Sequence, residues 1–340
     1  MDIIGLKQNM KTKISIVAGF LLGAGLLYLA FRNMDFRKLM EIYSGANPVY
    51  ILPFAFIAVL ELLVRAARWR LLLKPSGQVS MWDAFRLQAA GLALSNILPL
   101  RLGEVARGTF GAKLFNIPMV TVFATILVER ALDVIVLFVM VAAAVRLGGI
   151  SGALSGHGGV IWTVLAVMTF ALGALVFAEE IVAHAWFSGA FARFPRVKGL
   201  FEKLAMGVKG LRSPVDAALI LLLAAVQWLL DSLNYYLIAL AFGLGGVVDI
   251  FKSVALLFTG AMAASVPGPP GYFGNFEYAL QKVLTAWGIA PDVGFAYASY
   301  LHFLGYALIT LIGVVFVYQM GHSLGKVWGQ FSSSGRKEGA

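Results

Sequence analysis

Residues 96–104 read NILPLRLGE, and residues 265–277 read SVPGPPGYFGNFE. Both stretches interrupt an apolar run with a proline and a glycine four positions later, and then carry a glutamate before apolar sequence resumes. A helix that is interrupted at membrane depth leaves backbone N–H and C=O groups that protein or cavity water must satisfy. Two interrupted segments at corresponding positions of two halves are typical of the substrate site of a membrane transporter.

The composition indicates a protein that crosses a membrane several times. Hydrophobic residues make up 60% of the 340 positions, charged residues make up 13%, and the mean hydropathy is +0.85. A spanning helix needs about 20 apolar residues, and the candidate runs are 14–31, 48–64, 118–145, 159–178, 216–243 and 294–320. Two shorter runs, 85–99 and 252–267, lead into the interruptions. We therefore predict an all-α polytopic membrane protein with about six spanning helices and two re-entrant broken-helix hairpins.

The net charge of +10 follows the positive-inside rule and does not indicate a nucleic-acid partner. If the lysines before the first run lie in the cytoplasm, most basic residues of the other loops fall on the same side. We predict an integral protein of a prokaryotic cytoplasmic (inner) membrane with both termini inside. The first run is longer than the apolar region of a signal peptide and no cleavage site follows it, which favours a retained signal-anchor helix.

The chain contains no cysteine, which excludes disulfides, thiolate nucleophiles and cysteine-based metal sites. It also lacks the Gly-x-x-x-x-Gly-Lys-Ser/Thr sequence of nucleotide-binding loops. We expect no cofactor and no metal. A transporter of this composition would run down a gradient, couple to protons through its acidic residues, or be driven by another protein.

The sequence predicts an internal repeat. A shift of 168 positions aligns Pro99 with Pro267 and Gly103 with Gly271. The flanking runs align as well, which predicts a repeat A at about 48–146 and a repeat B at about 216–320 within one transmembrane domain, 1–330. If both hairpins are re-entrant, an odd number of crossings separates the repeats and inverts the second. A helix at 159–178 and a basic cytoplasmic loop at 179–215 link them, and the tail 331–340 is expected to be disordered.

Glu129, Arg130 and Asp133 lie in the middle of an apolar run. Charges at bilayer depth normally face the interior of a helix bundle and pair with one another. Glu129 and Asp133 share a helix face, and Arg130 and Asp133 are three positions apart. Two interpretations stay open: an internal ion-pair lock that holds the fold, or a site where Arg130 receives a phosphate while the acids orient it or move protons.

The first interruption contains Asn96, Arg101 and Glu104. An arginine at a helix break suits a phosphate because its planar fork binds oxyanions through two N–H groups. The helix that restarts after the break adds N–H donors and a positive dipole end. Alternatively, Arg101 extends toward the inner headgroups and has no role in a site.

The second interruption contains Gly268, Gly271 and Tyr272, and Glu277 follows them. Glycines allow backbone conformations closed to other residues and a close approach by a ligand. The aromatic residues around Glu277 would suit lipid acyl chains, although aromatic residues are also common at membrane interfaces.

Two further polar residues lie within apolar runs. Asp231 is either the partner of Arg130 or a separate proton site. His302 is either a packed histidine with satisfied hydrogen bonds or a titrating group.

A basic segment follows the second run. Glu61 and Arg65, four positions apart, are expected to form an ion pair. Arg65, Arg68 and Trp69 are expected to anchor lipid headgroups at the interface. The predicted substrate-binding residues are Asn96, Arg101, Glu104, Glu129, Arg130, Asp133, Asp231, Gly268, Gly271, Tyr272 and Glu277.

At these motifs the chain resembles the transmembrane region of lysylphosphatidylglycerol synthases, also called the flippase-like domain family. The motifs, in the order expected of that family, are Arg65-x-x-Arg68-Trp69, Asn96-x-x-Pro99-x-Arg101-x-Gly103-Glu104, Glu129-Arg130-x-x-Asp133 and Pro267 to Glu277. The resemblance covers about 14–320 and implies translocation of aminoacylated phosphatidylglycerol, which a soluble C-terminal domain makes in the bifunctional synthases. This chain ends at 340, so we expect a stand-alone member without the transferase half. Its second hairpin is also longer than a compact Pro-Gly-Gly type, and its lipid need not be lysylated.

Three functions compete. The first is a flippase or scramblase that moves an anionic phospholipid or a polyprenyl phosphate between leaflets through a polar cavity between the hairpins. The second is a membrane-embedded transferase acting on a lipid phosphate, with Glu104 or Glu129 as general base; the sequence offers no nucleophile–base pair for it. The third is a scaffold for lipid-synthesis enzymes, which leaves the intramembrane charges unexplained. Small residues in the first run, Gly19, Gly23 and Gly25, would allow the helix contacts of a homodimer.

Overall fold

The computed structural model describes residues 21, 25, 28–29, 36–98, 102–148, 209–266 and 269–321. Throughout these ranges the regular structure is helical, which confirms the predicted all-α class. The helices are α1 (Phe36–Gly45), α2 (Ile51–Leu73), α3 (Met81–Ile97), α4 (Leu102–Phe115), α5 (Met119–Gly148), α6 (Pro214–Ala241), α7 (Ile250–Ser265), α8 (Asn275–Ala286) and α9 (Pro291–Gln319). Short 3₁₀ turns cover Pro48–Tyr50, Lys209–Leu211 and Pro270–Tyr272.

Four of the described helices are long and apolar enough to cross a membrane: Pro48–Leu73, Met119–Gly148, Pro214–Ala241 and Pro291–Gln319. They correspond to four of the six predicted runs. The run 159–178 lies outside the described residues, and so does 14–31 except at four helical positions. Large apolar side chains on these helices face outward, with Leu52 78% and Leu311 69% exposed. Such an apolar exterior suits contact with lipid chains.

The described helices end and begin on either side of both predicted interruptions. The first separates the end of α3 at Ile97 from the start of α4 at Leu102, and the second separates α7 from α8 and contains the Pro270–Tyr272 turn. The α3–α4 pair is closely packed, because a Cβ atom on Gly103 would lie 2.0 Å from the carbonyl oxygen of Gly91. Only glycine fits at that position. Whether each hairpin is re-entrant stays a prediction, and Arg101 and Gly268 lie outside the described residues.

The described helices recur in one order of lengths. The helices α2 to α5 contain 23, 17, 14 and 30 residues, and the helices α6 to α9 contain 28, 16, 12 and 29. Both series run long, short, short and long. The predicted repeat, and the opposite orientation of its two copies across the membrane, stay predictions.

The chain forms two compact units. One, the hairpin unit, takes the described residues of Met1–Ala58, Ala89–Ala106 and Ser232–Ala340. The other, the cluster unit, takes those of Val59–Gln88 and Arg107–Asp231. Both helix interruptions belong to the hairpin unit. Most of the predicted intramembrane charges belong to the cluster unit.

Within the hairpin unit, α9 contacts both interrupted segments. Helix α8 packs against α7 and α9. On the other hairpin, a Cβ atom on Gly313 would lie 2.1 Å from the carbonyl oxygen of Ala89, so α9 and α3 touch through their backbones. The amide Nδ2 of Asn96 donates a hydrogen bond of 2.9 Å to the Thr310 hydroxyl one turn earlier on α9. Helix α9 therefore joins the segments that lead into the two interruptions.

Within the cluster unit, an apolar layer packs beneath the charged residues. Leu72 of α2, Val128 and Leu132 of α5, and Ile220 of α6 form one buried cluster. Burial of these side chains holds three spanning helices together. The charged residues on the same helices are thereby placed at fixed positions.

Candidate functional site

The cluster unit contains a group of five buried or half-buried charges, here called the arginine cluster: Arg68, Arg107, Glu129, Arg130 and Asp133. Glu129 is at its centre. Its Oε1 lies 3.3 Å from Arg68 Nη2 and 3.0 Å from Arg130 Nη2, and its Oε2 lies 3.1 Å from Arg107 Nη2. Three guanidinium groups thus share one carboxylate.

Asp133 forms the second acidic position of the cluster. It lies 2.6 Å from Arg68 Nη1 and 3.1 Å from Arg130 Nη1. The pairing of Arg130 with Asp133 across three positions of α5 confirms the spacing argument. Arg68 and Arg130 therefore each bridge the two carboxylates.

Three helices bring the arginine cluster together from distant parts of the sequence. Helix α2 contributes Arg68, α4 contributes Arg107, and α5 contributes the other three. Arg68 and Glu129 are fully buried and Arg107 is 3% exposed, whereas the side chain of Arg130 is 34% exposed. Charges that are removed from water must be paired to be tolerated, and the close pairs meet that requirement.

Uncharged side chains complete the surroundings of Arg107. Its Nη1 donates a hydrogen bond to the Gln88 side-chain oxygen, and its guanidinium carbon lies 4.8 Å from the centre of the Trp69 ring. The Trp69 indole N–H donates a bond of 3.1 Å to the Thr125 hydroxyl. Trp69 is fully buried, so this wall of the cluster is rigid.

A second group of charges adjoins the arginine cluster. Arg65 Nη2 lies 2.6 Å from Glu61 Oε1, which confirms the predicted ion pair. Asp231 of α6 interacts electrostatically with Glu61 and Arg65, and Arg65 also interacts with Asp133. The charged region therefore extends from α5 through α2 to α6.

The predicted headgroup anchors are wrong for two of the three residues. Arg68 and Trp69 are fully buried, because α2 continues to Leu73 and turns both side chains into the cluster unit. Arg65 is paired, with 12% of its side chain exposed. At this end of α2 it is Arg70 that is exposed. Arg70 lines an open groove of about 1020 Å³ together with Lys74, Ser80 and Asp83.

The hairpin unit contains a different polar pair, Glu277 of α8 and His302 of α9. Glu277 Oε1 lies 2.6 Å from His302 Nδ1, and Glu277 Oε2 accepts a 2.6 Å hydrogen bond from the Gly274 backbone N–H. The two residues are 2% and 7% exposed. Glu277 thereby fixes the start of α8 and orients the imidazole.

Aromatic rings surround the imidazole of His302. The ring centroids of Tyr272, Phe273 and Phe276 lie 5.2, 4.5 and 4.6 Å away. Tyr306 is edge-on at 6.4 Å. The Tyr272 ring and the imidazole are nearly parallel, with an interplanar angle of 4°. The interruption between α7 and α8 supplies two of these rings.

The structure unites some of the predicted site residues and separates others. It joins Glu129, Arg130 and Asp133 in one unit, and it joins Gly271, Tyr272 and Glu277 around His302 in the other. Asn96 bonds to Thr310, and Glu104 lies half-buried in the first turn of α4. Among the described residues, no three carboxylate or imidazole groups are placed to hold a metal ion.

Sequence reasoning missed Arg107 and Gln88. Arg107 lies within the apolar sequence of α4, six residues after Arg101. The rule that intramembrane charges are functional or paired would have selected it. No comparable signal marked Gln88, because a single uncharged amide within a helix is common.

Comparison with known proteins identifies the family. The profile described as the lysylphosphatidylglycerol synthase TM region matches residues 16–313. The chain belongs to this family. The resemblance found in the motifs is thereby confirmed.

Relatives of this family member occur in archaea. A UPF0104 membrane protein of Methanothermobacter thermautotrophicus is 22% identical over 295 residues, which is 79% of this chain and 84% of the relative. A UPF0104 membrane protein of Methanocaldococcus jannaschii is 30% identical over 126 residues, 36% of each chain. The glycosyltransferase AglD of Haloferax volcanii is 25% identical over 350 residues, which is 91% of this chain and 55% of AglD. No solved structure matches.

Proposed function

We propose that this protein moves a phosphate-containing lipid between the two leaflets of a prokaryotic cytoplasmic membrane, with both of its termini in the cytoplasm. The observation that carries the proposal is the arginine cluster. Three arginines and two acids make up the arginine cluster, so within the cluster itself the guanidinium groups outnumber the carboxylates by one. A lipid phosphate is an anion that would balance that charge.

The partial exposure of Arg130 supports an entry point for the phosphate. Arg68 and Arg107 are enclosed, whereas 34% of the Arg130 side chain is accessible. A guanidinium binds phosphate oxygens through two parallel N–H groups. An incoming phosphate would take N–H groups of Arg130 that now face Glu129 and Asp133, while Arg68 and Arg107 keep both acids neutralised.

The apolar exterior of the spanning helices supports a route in which only the headgroup enters the protein. Outward-facing side chains such as Leu127 on α5, 54% exposed, offer a surface for acyl chains. The headgroup would move along a polar path through the protein. Further predicted residues of this path are Asn96, Arg101, Glu104, Asp231 and, in the second interruption, Gly268, Gly271, Tyr272 and Glu277. A phospholipid and a polyprenyl phosphate share the required chemistry, an anionic phosphate on long apolar chains.

A transferase role is the second candidate. It is favoured by the similarity to AglD, which is named a glycosyltransferase and of which this chain spans 55%. Under this candidate, the arginine cluster would bind a lipid phosphate for a reaction, alone or with a lipid-synthesis enzyme as partner. A homodimer is compatible with both candidates.

The deciding experiment uses proteoliposomes with a fluorescent lipid in both leaflets and a membrane-impermeant quencher outside. Phosphatidylglycerol, phosphatidylethanolamine and a polyprenyl phosphate are tested separately. We expect the protein to move at least one of these phosphate lipids from the inner to the outer leaflet, where the quencher reaches it. We expect Arg130→Gln to abolish this movement. Arg146→Gln is the matched control, since Arg146 is an exposed arginine on the same helix.

Two results would contradict the proposal, one its transport function and the other its phosphate site. If no lipid moves although the protein is folded and inserted, the proposal fails and lipid conversion with a sugar donor is tested next. If Arg130→Gln and Arg146→Gln move lipid equally well, the arginine cluster is not the phosphate site.

A further inference from the structure

The Glu277–His302 pair is not used by the phosphate-binding step. We propose that this pair is a proton-binding site that couples lipid movement to a proton gradient. The inference rests on the proposed transport function and adds its energy source. The argument uses only residues of the hairpin unit.

The hydrogen bonds of Glu277 determine which atom of the pair takes the proton. Both carboxylate oxygens accept hydrogen bonds, one from the Gly274 N–H and one from the imidazole Nδ1–H. Both oxygens thus act as acceptors, as those of an ionised carboxylate do. With the imidazole proton on Nδ1, Nε2 carries a lone pair, and this atom is the acceptor.

His302 Nε2 is buried and has no hydrogen-bond partner within the described structure. An unpartnered polar atom at this depth is unfavourable, and a proton is the smallest ligand that uses its lone pair. On uptake, a water-borne proton forms the Nε2–H bond and no bond to Glu277 breaks. The pair then changes from one negative charge to a neutral carboxylate–imidazolium pair.

The walls of the site suit a cationic imidazole. Tyr272, Phe273 and Phe276 lie with their ring centroids 4.5–5.2 Å from the imidazole. Ring faces attract a cation at such distances. A carboxylate–imidazolium pair with no net charge costs less free energy in a low-dielectric region than a single charge does. Protonation therefore changes the stability of the packing around the pair.

Within the part of the chain that the structure describes, four tyrosines lie on or near the pair. Tyr272 precedes α8 and Tyr306 lies one turn after His302 on α9, both against the imidazole. Tyr43 of α1 interacts electrostatically with Glu277, and Tyr235 of α6 contacts Phe276. Tyrosine ionises at about pH 10, so near neutral pH the charge change belongs to Glu277 and His302.

The position of the pair links it to both interruptions. Tyr272 and Phe273 belong to the second interruption, where Gly271 has a left-handed φ of 71° and its Cβ position is filled by Tyr306 and Phe273. On the first hairpin, Thr310 bonds to Asn96 two turns beyond His302. A change of charge at His302 therefore acts on packed elements that reach both breaks.

The coupling test adds a pH-sensitive dye inside the proteoliposomes. Fluorescent lipid is offered to the outer leaflet, and lipid entry and internal pH are recorded together. We expect lipid movement to be accompanied by proton movement, and an imposed pH gradient to change the lipid rate. His302→Gln removes the proton acceptor and should abolish lipid-linked proton movement, whereas Tyr318→Phe, at an exposed position of the same helix, should retain it.

The outcomes separate the two proposals. The proton site is overturned if the parent protein moves lipid without moving protons. It is also overturned if His302→Gln moves lipid and protons as the parent protein does. In both cases lipid transport still stands. No lipid movement under any gradient overturns transport itself.

A direct measurement tests the proton site without lipid movement. The four histidines are labelled with ¹⁵N in the full chain, and the His302 signal is identified by its loss in His302→Gln. We expect this signal to show an Nδ1–H tautomer in the neutral imidazole and to gain a second N–H at Nε2 when the pH is lowered. A signal that keeps one protonation state throughout the pH series overturns the inference. The thermal transition of His302→Gln shows that the variant is folded.

Discussion

The arginine cluster and the Glu277–His302 pair are both buried polar sites in apolar helices, yet they hold charge in different ways. In the arginine cluster the positive groups are guanidiniums, which stay charged at every physiological pH. In the second site a weak acid and a weak base share one hydrogen bond inside a wall of aromatic rings. A permanently charged site suits an ion of opposite sign, whereas a site whose charge can change suits a proton. Replacements at the two sites should therefore have different effects on stability and on lipid movement.

The largest effect is expected for Glu129→Gln. This change removes the carboxylate shared by three arginines and leaves Asp133 alone against them. Breaking a buried ion pair by removing one partner costs about 3–5 kcal/mol, so the free energy of unfolding should fall by at least that amount. Thermal unfolding in detergent measures this loss of stability, and Glu41→Gln, at an exposed position of α1, is the control. A loss no greater than that of the control would show that the cluster contributes nothing to stability.

Next in size is the contrast between Arg68→Gln and Arg130→Gln. Arg68 is fully buried between two acids, so its replacement should lower stability by about 3–5 kcal/mol. Arg130 is partly exposed, and water replaces some of its interactions. We expect a clearly smaller shift in the thermal transition together with loss of lipid movement. Equal destabilisation would instead identify Arg130 as part of an internal ion-pair lock.

A smaller effect is expected for Glu277→Gln. The amide can still accept the hydrogen bond of the Gly274 N–H, and what is lost is the charge that faces His302. Hydrogen bonds to charged groups contribute about 1.5–3 kcal/mol, so stability should fall by less than in Glu129→Gln. Parallel thermal scans compare the two variants. If Glu277→Gln lowers the free energy of unfolding more than Glu129→Gln does, the contrast between the two sites is wrong.

The smallest effect is expected for Lys74→Gln. Lys74 Nζ pairs with Asp216 at 3.0 Å, but 61% of its side chain is exposed. Exposed ion pairs contribute about 0.2–1 kcal/mol and weaken with salt. The thermal transition temperatures at low and high salt should therefore be nearly equal for the variant and differ slightly for the parent protein. A loss as large as that of Arg68→Gln would mean that burial does not govern these pairs.

The sequence predicted the fold class and the interruptions because both depend on local composition. Spanning helices follow from runs of apolar residues, and a helix cannot pass regularly through the Pro99 or Pro267 region. The same reasoning underestimated α2, which continues past 64 to Leu73. The charges at Arg65 and Arg68 appeared to end the helix, whereas partners on other helices allow it to continue.

The members of each site were easier to predict than their pairings. Glu129, Arg130 and Asp133 were selected because charge is rare in an apolar run, and Glu277 and His302 were selected one at a time. Pairing depends on which helices touch, and Arg68 meets Asp133 from 65 positions away. No local pattern encodes that contact. For the same reason the sequence alone assigns Arg68 to the lipid interface.

The distance in sequence between Arg68 and its partners also has a consequence for synthesis. Arg68 leaves the ribosome 65 residues ahead of Asp133 and 61 ahead of Glu129, which at about 5–20 residues per second is a delay of roughly 3–13 s. During that time α2 holds an arginine without its acids, and Arg68 lies five residues before the end of the helix at Leu73, where a long arginine side chain reaches the interface. We therefore expect Arg68 to become buried and to pair with Glu129 and Asp133 only after α5 has been made.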